Sequence, residues 1–147
     1  MKTLLISLHS RHAQNILAGN KTIELRRTAP RHISHAADTE TFIPGFKKIL
    51  IYETSPTMSI VGYCTPIKVY WGQADKFMQF ADKLCLTPDE ISSYLGDKAG
   101  WGIGVKDARR IVPIPLAQMR ELGISPPQVY QYLDDELVYH LCYTVAQ

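Results

Sequence analysis

The sequence predicts an α+β fold, a small curved or closed β-barrel with flanking helices, and three observations carry that reading. Short β-rich runs recur at 4–8, 22–26, 48–52, 59–64 and 101–105, separated by Gly, Pro and Asn. A stretch after the first run places Ala13, Ile16 and Leu17 on one helical face. A block at about 73–96 carries helix signals instead of alternation. The 147 residues fit one domain spanning 1–147, with that block as a helical insertion. A composition 46% hydrophobic and 20% charged excludes a chain too polar to bury a core.

Residues 4–8 are apolar enough for a buried strand, and Ser10 is positioned to cap the helix that follows. Gly19-Asn20 ends that helix. In Thr22-Ile23-Glu24-Leu25-Arg26 a period of two turns Ile23 and Leu25 to the core and leaves Glu24 and Arg26 together on the other face. Residues 28–46 lack a period and read as a long polar connection, a lid or binding loop. Lys48 to Tyr52 and Ser59 to Cys64 read as strands. Pro66 argues against a regular central strand, and Ile67 to Tyr70 resumes after a bend.

Within the insertion, Phe77, Phe80, Ala81 and Leu84 share a face. Thr87-Pro88-Asp89-Glu90 is a capping box that opens a second helix, which carries Ile91, Tyr94 and Leu95 and ends at Gly96. Trp101 to Val105 and Arg109 to Ile114 read as β segments. Pro115 starts a short helix that turns Leu116 and Met119 inward and stops at Gly123. Ser125-Pro126-Pro127-Gln128 is expected to cap a helix bearing Val129, Tyr132 and Leu133, and Leu137 to Val145 to form a closing strand or a bent pair of β pieces.

The first ten residues have neither a signal-peptide pattern nor a span of about 20 apolar residues, which leads to the expectation of a cytoplasmic protein with no membrane segment. Cys64, Cys85 and Cys142 stand far apart in apolar stretches and read as buried small hydrophobes. His9, His12, His32 and His35 have no zinc-ligand spacing, and no cofactor motif is present. His32 or His35 can still reach over a ligand from the 28–46 segment.

The formal charge of +2 is too small to hold long DNA, but it is unevenly spread. Between residues 11 and 31, Arg11, Lys21, Arg26, Arg27 and Arg31 face Glu24 as the sole acid. Lys21 offers a mobile ammonium for a phosphate or developing oxyanion, and Arg26 a planar fork for phosphate, base edge or carboxylate. Glu24 can orient that fork or, if burial raises its proton affinity, act as a general base. Arg27 points the other way and serves the rim. Tyr52, Trp71 and Trp101 are aromatic surfaces on which a base can stack.

The segment Gly19-Asn20-Lys21-Thr22-Ile23-Glu24-Leu25-Arg26 resembles the signature of the ASCH domain family, small β-barrel domains related in fold to the PUA RNA-binding domains. Ile51-Tyr52 with Ser55-Pro56, then Ile60-Val61-Gly62, Trp101-Gly102-Ile103 and Pro113-Ile114-Pro115-Leu116 fall in a similar order over most of the chain. The resemblance implies a cleft between the N-terminal helix and the barrel that engages RNA, a nucleotide or a modified nucleoside. Some members of that family hydrolyse the acetamide of an acetylated cytidine with a lysine and a threonine. This chain has Lys21, but Glu24 stands where the threonine is placed, a departure that counts against transferring that chemistry. The expectation is therefore an RNA- or nucleotide-binding domain using a Lys21-Glu24-Arg26 cleft, with Arg11, Arg27, Trp71 and Trp101 as further ligand contacts. Two alternatives stand beside it: a hydrolase of RNA or a modified nucleoside, with Lys21 and Glu24 catalytic, and a protein-interaction or regulatory module built on the 28–46 segment.

Overall fold

The computed structural model describes residues 2–38 and 40–146, with side chains described through Leu141. Its first strand is β1 (Lys2–Leu8), whose period of two sends Leu4, Ile6 and Leu8 to one core and Leu5 to another. It pairs in parallel with β5 (Phe46–Glu53) and antiparallel with β8 (Tyr130–Leu133). β5 continues antiparallel to β6 (Ser59–Gly72), β6 to the 16-residue β7 (Gly100–Pro115), and β7 to β2 (Ile23–Arg26). Two short strands, β3 (Ile33–His35) and β4 (Thr41–Pro44), form a hairpin whose second arm joins the far half of β6.

Among the described residues the result is one eight-stranded sheet in a mixed α+β fold, with the order β2-β7-β6-β5-β1-β8. The ladder of those residues does not close, because β2 and β8 end it unpaired with each other. The ends nevertheless meet through side chains. Arg26 at the end of β2 reaches the carbonyl of Ser7 on β1, and the Tyr130 hydroxyl on β8 donates to the carbonyl of Thr28 at 2.9 Å. The sheet is therefore curled, with a seam where a final pair of strands would lie.

Helices cover both faces. The buried side of α1 (Ser10–Leu17) sets Ala13, Ile16 and Leu17 against Leu4, Ile6, Ile51 and Val105. α2 (Ala74–Met78), α3 (Ala81–Leu84) and α4 (Pro88–Leu95) bury Phe77, Leu84, Ile91 and Leu95 against Ile23 and Leu25 of β2. α5 (Leu116–Glu121) and α6 (Asp135–Ala146) cover the opposite face with Met119 and Leu141. None of these helices, among the described residues, is long and apolar enough to cross a membrane.

Several local expectations are corrected. The N-cap of α1 is His9, with an extended backbone and no side-chain cap, and Ser10 is already helical. The 28–46 connection is partly ordered as the β3–β4 hairpin, with Thr39 outside the described residues. Pro66 lies within β6, at the point where β5 has released that edge at Cys64 and β4 has not taken it up until Val69, so its missing N–H breaks no bond there. β8 and α6 exchange the expected types. Tyr130 to Leu133 finds an open edge on β1, and the carboxylate of Asp134 accepts the Leu137 amide at 2.9 Å, capping a helix over residues expected to be a strand. Cys64 is buried, where desolvation pushes its thiol up to about 12, and Cys85 is half-buried at the end of α3. The side chain of Cys142 lies outside the described residues.

The capping box of α4 forms in full. Thr87 accepts from the Glu90 amide at 3.1 Å while Glu90 accepts from the Thr87 amide at 3.1 Å. Replacing Thr87 with Ala should cost about 1 kcal/mol of unfolding free energy, read as a lower urea midpoint at unchanged slope.

Candidate functional site

The site begins at the turn out of α1. Gly19 adopts φ +84°, a left-handed conformation that glycine takes without strain, and the Asn15 carbonyl accepts from the amides of both Asn20 and Lys21. The Thr22 amide then donates to the carbonyl of Lys83, seating the turn beneath α3. Lys21 is thereby drawn inward to 1% exposure, and its Nζ donates to the Leu84 carbonyl at 2.5 Å. Burial holds the Lys21 ammonium below its ordinary pKa, and Glu24 works in the opposite sense.

Glu24 and Arg26 follow on one face of β2. One Glu24 oxygen stands 3.5 Å from Lys21 Nζ and the other 3.5 Å from an Arg26 nitrogen. Arg26 extends across the seam, donating to the carbonyls of Ser7 at 3.3 Å and Val129 at 3.1 Å, with its guanidinium carbon 5.4 Å from the centre of the Tyr130 ring. Both oxygens of Glu24 thus face cations, and the trio carries two cations against one carboxylate.

Beside this trio lies a cleft of about 700 Å³, large enough for a nucleotide. Its walls include Lys21, Glu24, Arg26 and Arg27, His9 and His12 at the start of α1, Tyr52 and Thr54 from β5 and its exit, Glu90 and Tyr94 from α4, and residues 126–129. Arg27 donates through Nε to the Tyr94 carbonyl at 2.7 Å and stacks 4.4 Å from the centre of the Tyr94 ring, fixing one rim. Glu90 is engaged by Arg11, whose hydrogen bond holds its carboxyl down at about 2.

The other residues singled out from sequence fall elsewhere. Arg11 is exposed and ties α1 to α4 through Glu90, and it does not line the cleft. Trp71 and Trp101 face each other across β6 and β7 with ring centres 6.5 Å apart, and Phe42 packs on Trp101 at 5.3 Å. They form an aromatic surface outside the cleft lining, and Trp71 is 48% exposed. His35 packs on Phe42 and is likewise outside the cleft. No group of three or more His, Cys, Asp or Glu side chains comes together as a metal-binding set among the described residues.

Sequence reasoning passed over His12 as a cleft group. Its Nδ1 is buried with no hydrogen-bond partner among the described residues, and its pKa is lowered first by burial and then by the Lys21 charge. The available signal was its spacing. His9 and His12 are three apart at the start of a helix, hence on neighbouring positions of one face.

An open-sheet α+β domain with a cationic cleft at its seam is the class that fold and site define. No protein-family model matches the sequence. It is 27% identical over 139 residues, covering 92% of this chain and 86% of the other, to an ASCH domain-containing ribonuclease of Zymomonas mobilis. The fold superposes on the crystal structure of ASCH from Zymomonas mobilis with a TM-score of 0.84 at 26% identity, covering 99% of this chain and 97% of that one. A variant of that protein with a serine changed to alanine gives 0.83 at 26% identity over 97% and 96% of the two chains. The N-terminal domain of Staphylothermus marinus McrB shares the fold alone, with a TM-score of 0.57 at 11% identity over 97% and 93%. In sequence and in fold the chain is similar to these ASCH domain proteins of Zymomonas mobilis.

Two outcomes follow from the site. Arg26→Gln should lower unfolding free energy by about 3 kcal/mol, because it strips a buried carboxylate of one partner and unties the seam. Arg26→Lys, a charge without the fork, should recover only part of the loss in the same urea titration. Because the folded His12 pKa lies below its ordinary value, its contribution to stability is complete above about 6.5 and is lost as pH falls through the folded value. Denaturation midpoints from pH 7.5 to 5 should fall less steeply for His12→Gln than for the parent.

Proposed function

We propose that this protein binds single-stranded RNA in the seam cleft and cleaves it by attack of a ribose 2′-hydroxyl on the adjacent phosphate. The observation that carries this reading is a histidine with lowered proton affinity and an unpartnered buried Nδ1, sharing one nucleotide-sized cleft with the buried Lys21 and the half-buried Arg26. The ribonuclease name of the Zymomonas relative agrees with it.

In this mechanism the lowered proton affinity of His12 keeps it unprotonated near neutral pH, the form a general base needs. It takes the proton of the 2′-hydroxyl as that oxygen bonds to phosphorus. The bond from phosphorus to the 5′-oxygen of the next nucleotide breaks, giving a 2′,3′-cyclic phosphate. His9, three residues earlier in the same cleft wall, returns a proton to the departing oxygen. Arg26 and Lys21 stabilise charge building on the phosphate oxygens. Glu24, with both oxygens committed to the cations, braces them instead of taking the proton. A base entering the cleft meets Tyr94 at its rim, an aromatic side chain suited to stacking.

A short fluorescent RNA should be cut by the parent protein, and His12→Ala should slow the cut about a hundred- to ten-thousandfold while leaving affinity within a few-fold. The same oligomer with 2′-deoxyribose throughout should remain whole. Cleavage of that DNA at the RNA rate would remove the 2′-hydroxyl from the mechanism, and full activity of His12→Ala would remove the histidine. For the parent, log kcat should fall with slope near one below a pKa under about 6.5.

A further inference from the structure

The seam holds a second recess, of about 430 Å³. Thr28 and Val129 line both this groove and the larger cleft, so the two adjoin at the seam. Lys2 and Arg31 bring cations to it, His32, Tyr130 and Tyr132 bring rings, and no carboxylate lines it among the described residues. A groove with cations, rings and no acid suits a phosphodiester joined to a base.

Its wall is held rigidly. The Tyr132 hydroxyl donates to the Arg31 carbonyl, and the His32 ring stands edge-on to Tyr132 with centres 5.0 Å apart. His32 has φ +59°, uncommon outside glycine, and its carbonyl accepts the Gly45 amide at 2.6 Å. A Cβ at Gly45 would lie 2.5 Å from that oxygen, so this approach requires glycine. The 28–32 segment is thus locked from both sides, with Arg31 and His32 presented to the groove.

We infer that this groove is a subsite for the nucleotide adjacent to the one in the main cleft, with Arg31 and Lys2 taking its phosphate and the rings its base. This rests on the RNA reading of the main cleft but not on turnover there. The strand then crosses the Arg26–Tyr130 bridge, and substrate preference rises with length.

The test is affinity for non-cleavable 2′-O-methyl RNA of two and of six nucleotides, measured for the parent, for Lys2→Gln/Arg31→Gln and for Arg31→Lys. The six-nucleotide probe should bind the parent at least tenfold more tightly than the shorter one. The double variant should lose about that tenfold for the long probe and little for the short one, and its log–log salt slope should flatten by about 0.7 for each phosphate that is no longer neutralised. Arg31→Lys should retain most of the affinity for the long probe. Equal affinity of the parent for both lengths, or equal losses on both in the double variant, overturns the subsite. A parent that cleaves no RNA yet shows this length dependence keeps the subsite and loses the proposed reaction. A parent that binds neither probe overturns both.

Discussion

The fold depends on a chain of charge laid across the gap in its sheet. Glu24 is buried, and a buried carboxylate is tolerable only if its oxygens face partners. Lys21 and Arg26 supply them from either side, and Arg26 spends its remaining donors on the carbonyls of Ser7 and Val129. One guanidinium therefore stands where a strand pair would otherwise run. The seam stays open enough to hold a cleft because side chains, not a ladder, bridge it.

The helices are joined to the same arrangement. Glu90 completes the capping box of α4 and also grips Arg11 of α1, so the elements carrying His12 and Tyr94 are tied at their exposed side. On the inner side, the Leu84 carbonyl at the end of α3 takes the Lys21 ammonium. A charge held this way is fixed in place by the fold itself. His12 sits in the same field. Burial disfavours its charged form and the neighbouring Lys21 adds to that, so a residue that looks ordinary in the sequence is biased toward its neutral form.

Much of this was legible in the chain. The alternation in residues 22–26 places Glu24 and Arg26 on one face, and that is where they lie, because strand parity is a local property. The capping box at Thr87 was equally local and forms in full. The reversal of types at 130–146 shows where local reading fails. Tyr130 to Leu133 pairs as a strand because β1 presents a free edge, a fact belonging to residues more than a hundred positions away. The cap at Asp134 is a local signal too, one that the apolar run after it obscures.

By itself the sequence determined which residues carry charge, which alternate, and where helices begin and chains turn, since these follow from side-chain chemistry and backbone sterics over a few positions. Tertiary structure decided that the sheet would curl without closing, that Lys21 would be buried while Arg11 stayed outside, that the tryptophans would lie beyond the cleft lining, and that His12 would enter it. Each of those outcomes turns on distance and dielectric between segments far apart in the chain, quantities that exist only once the sheet has curled and its helices have docked.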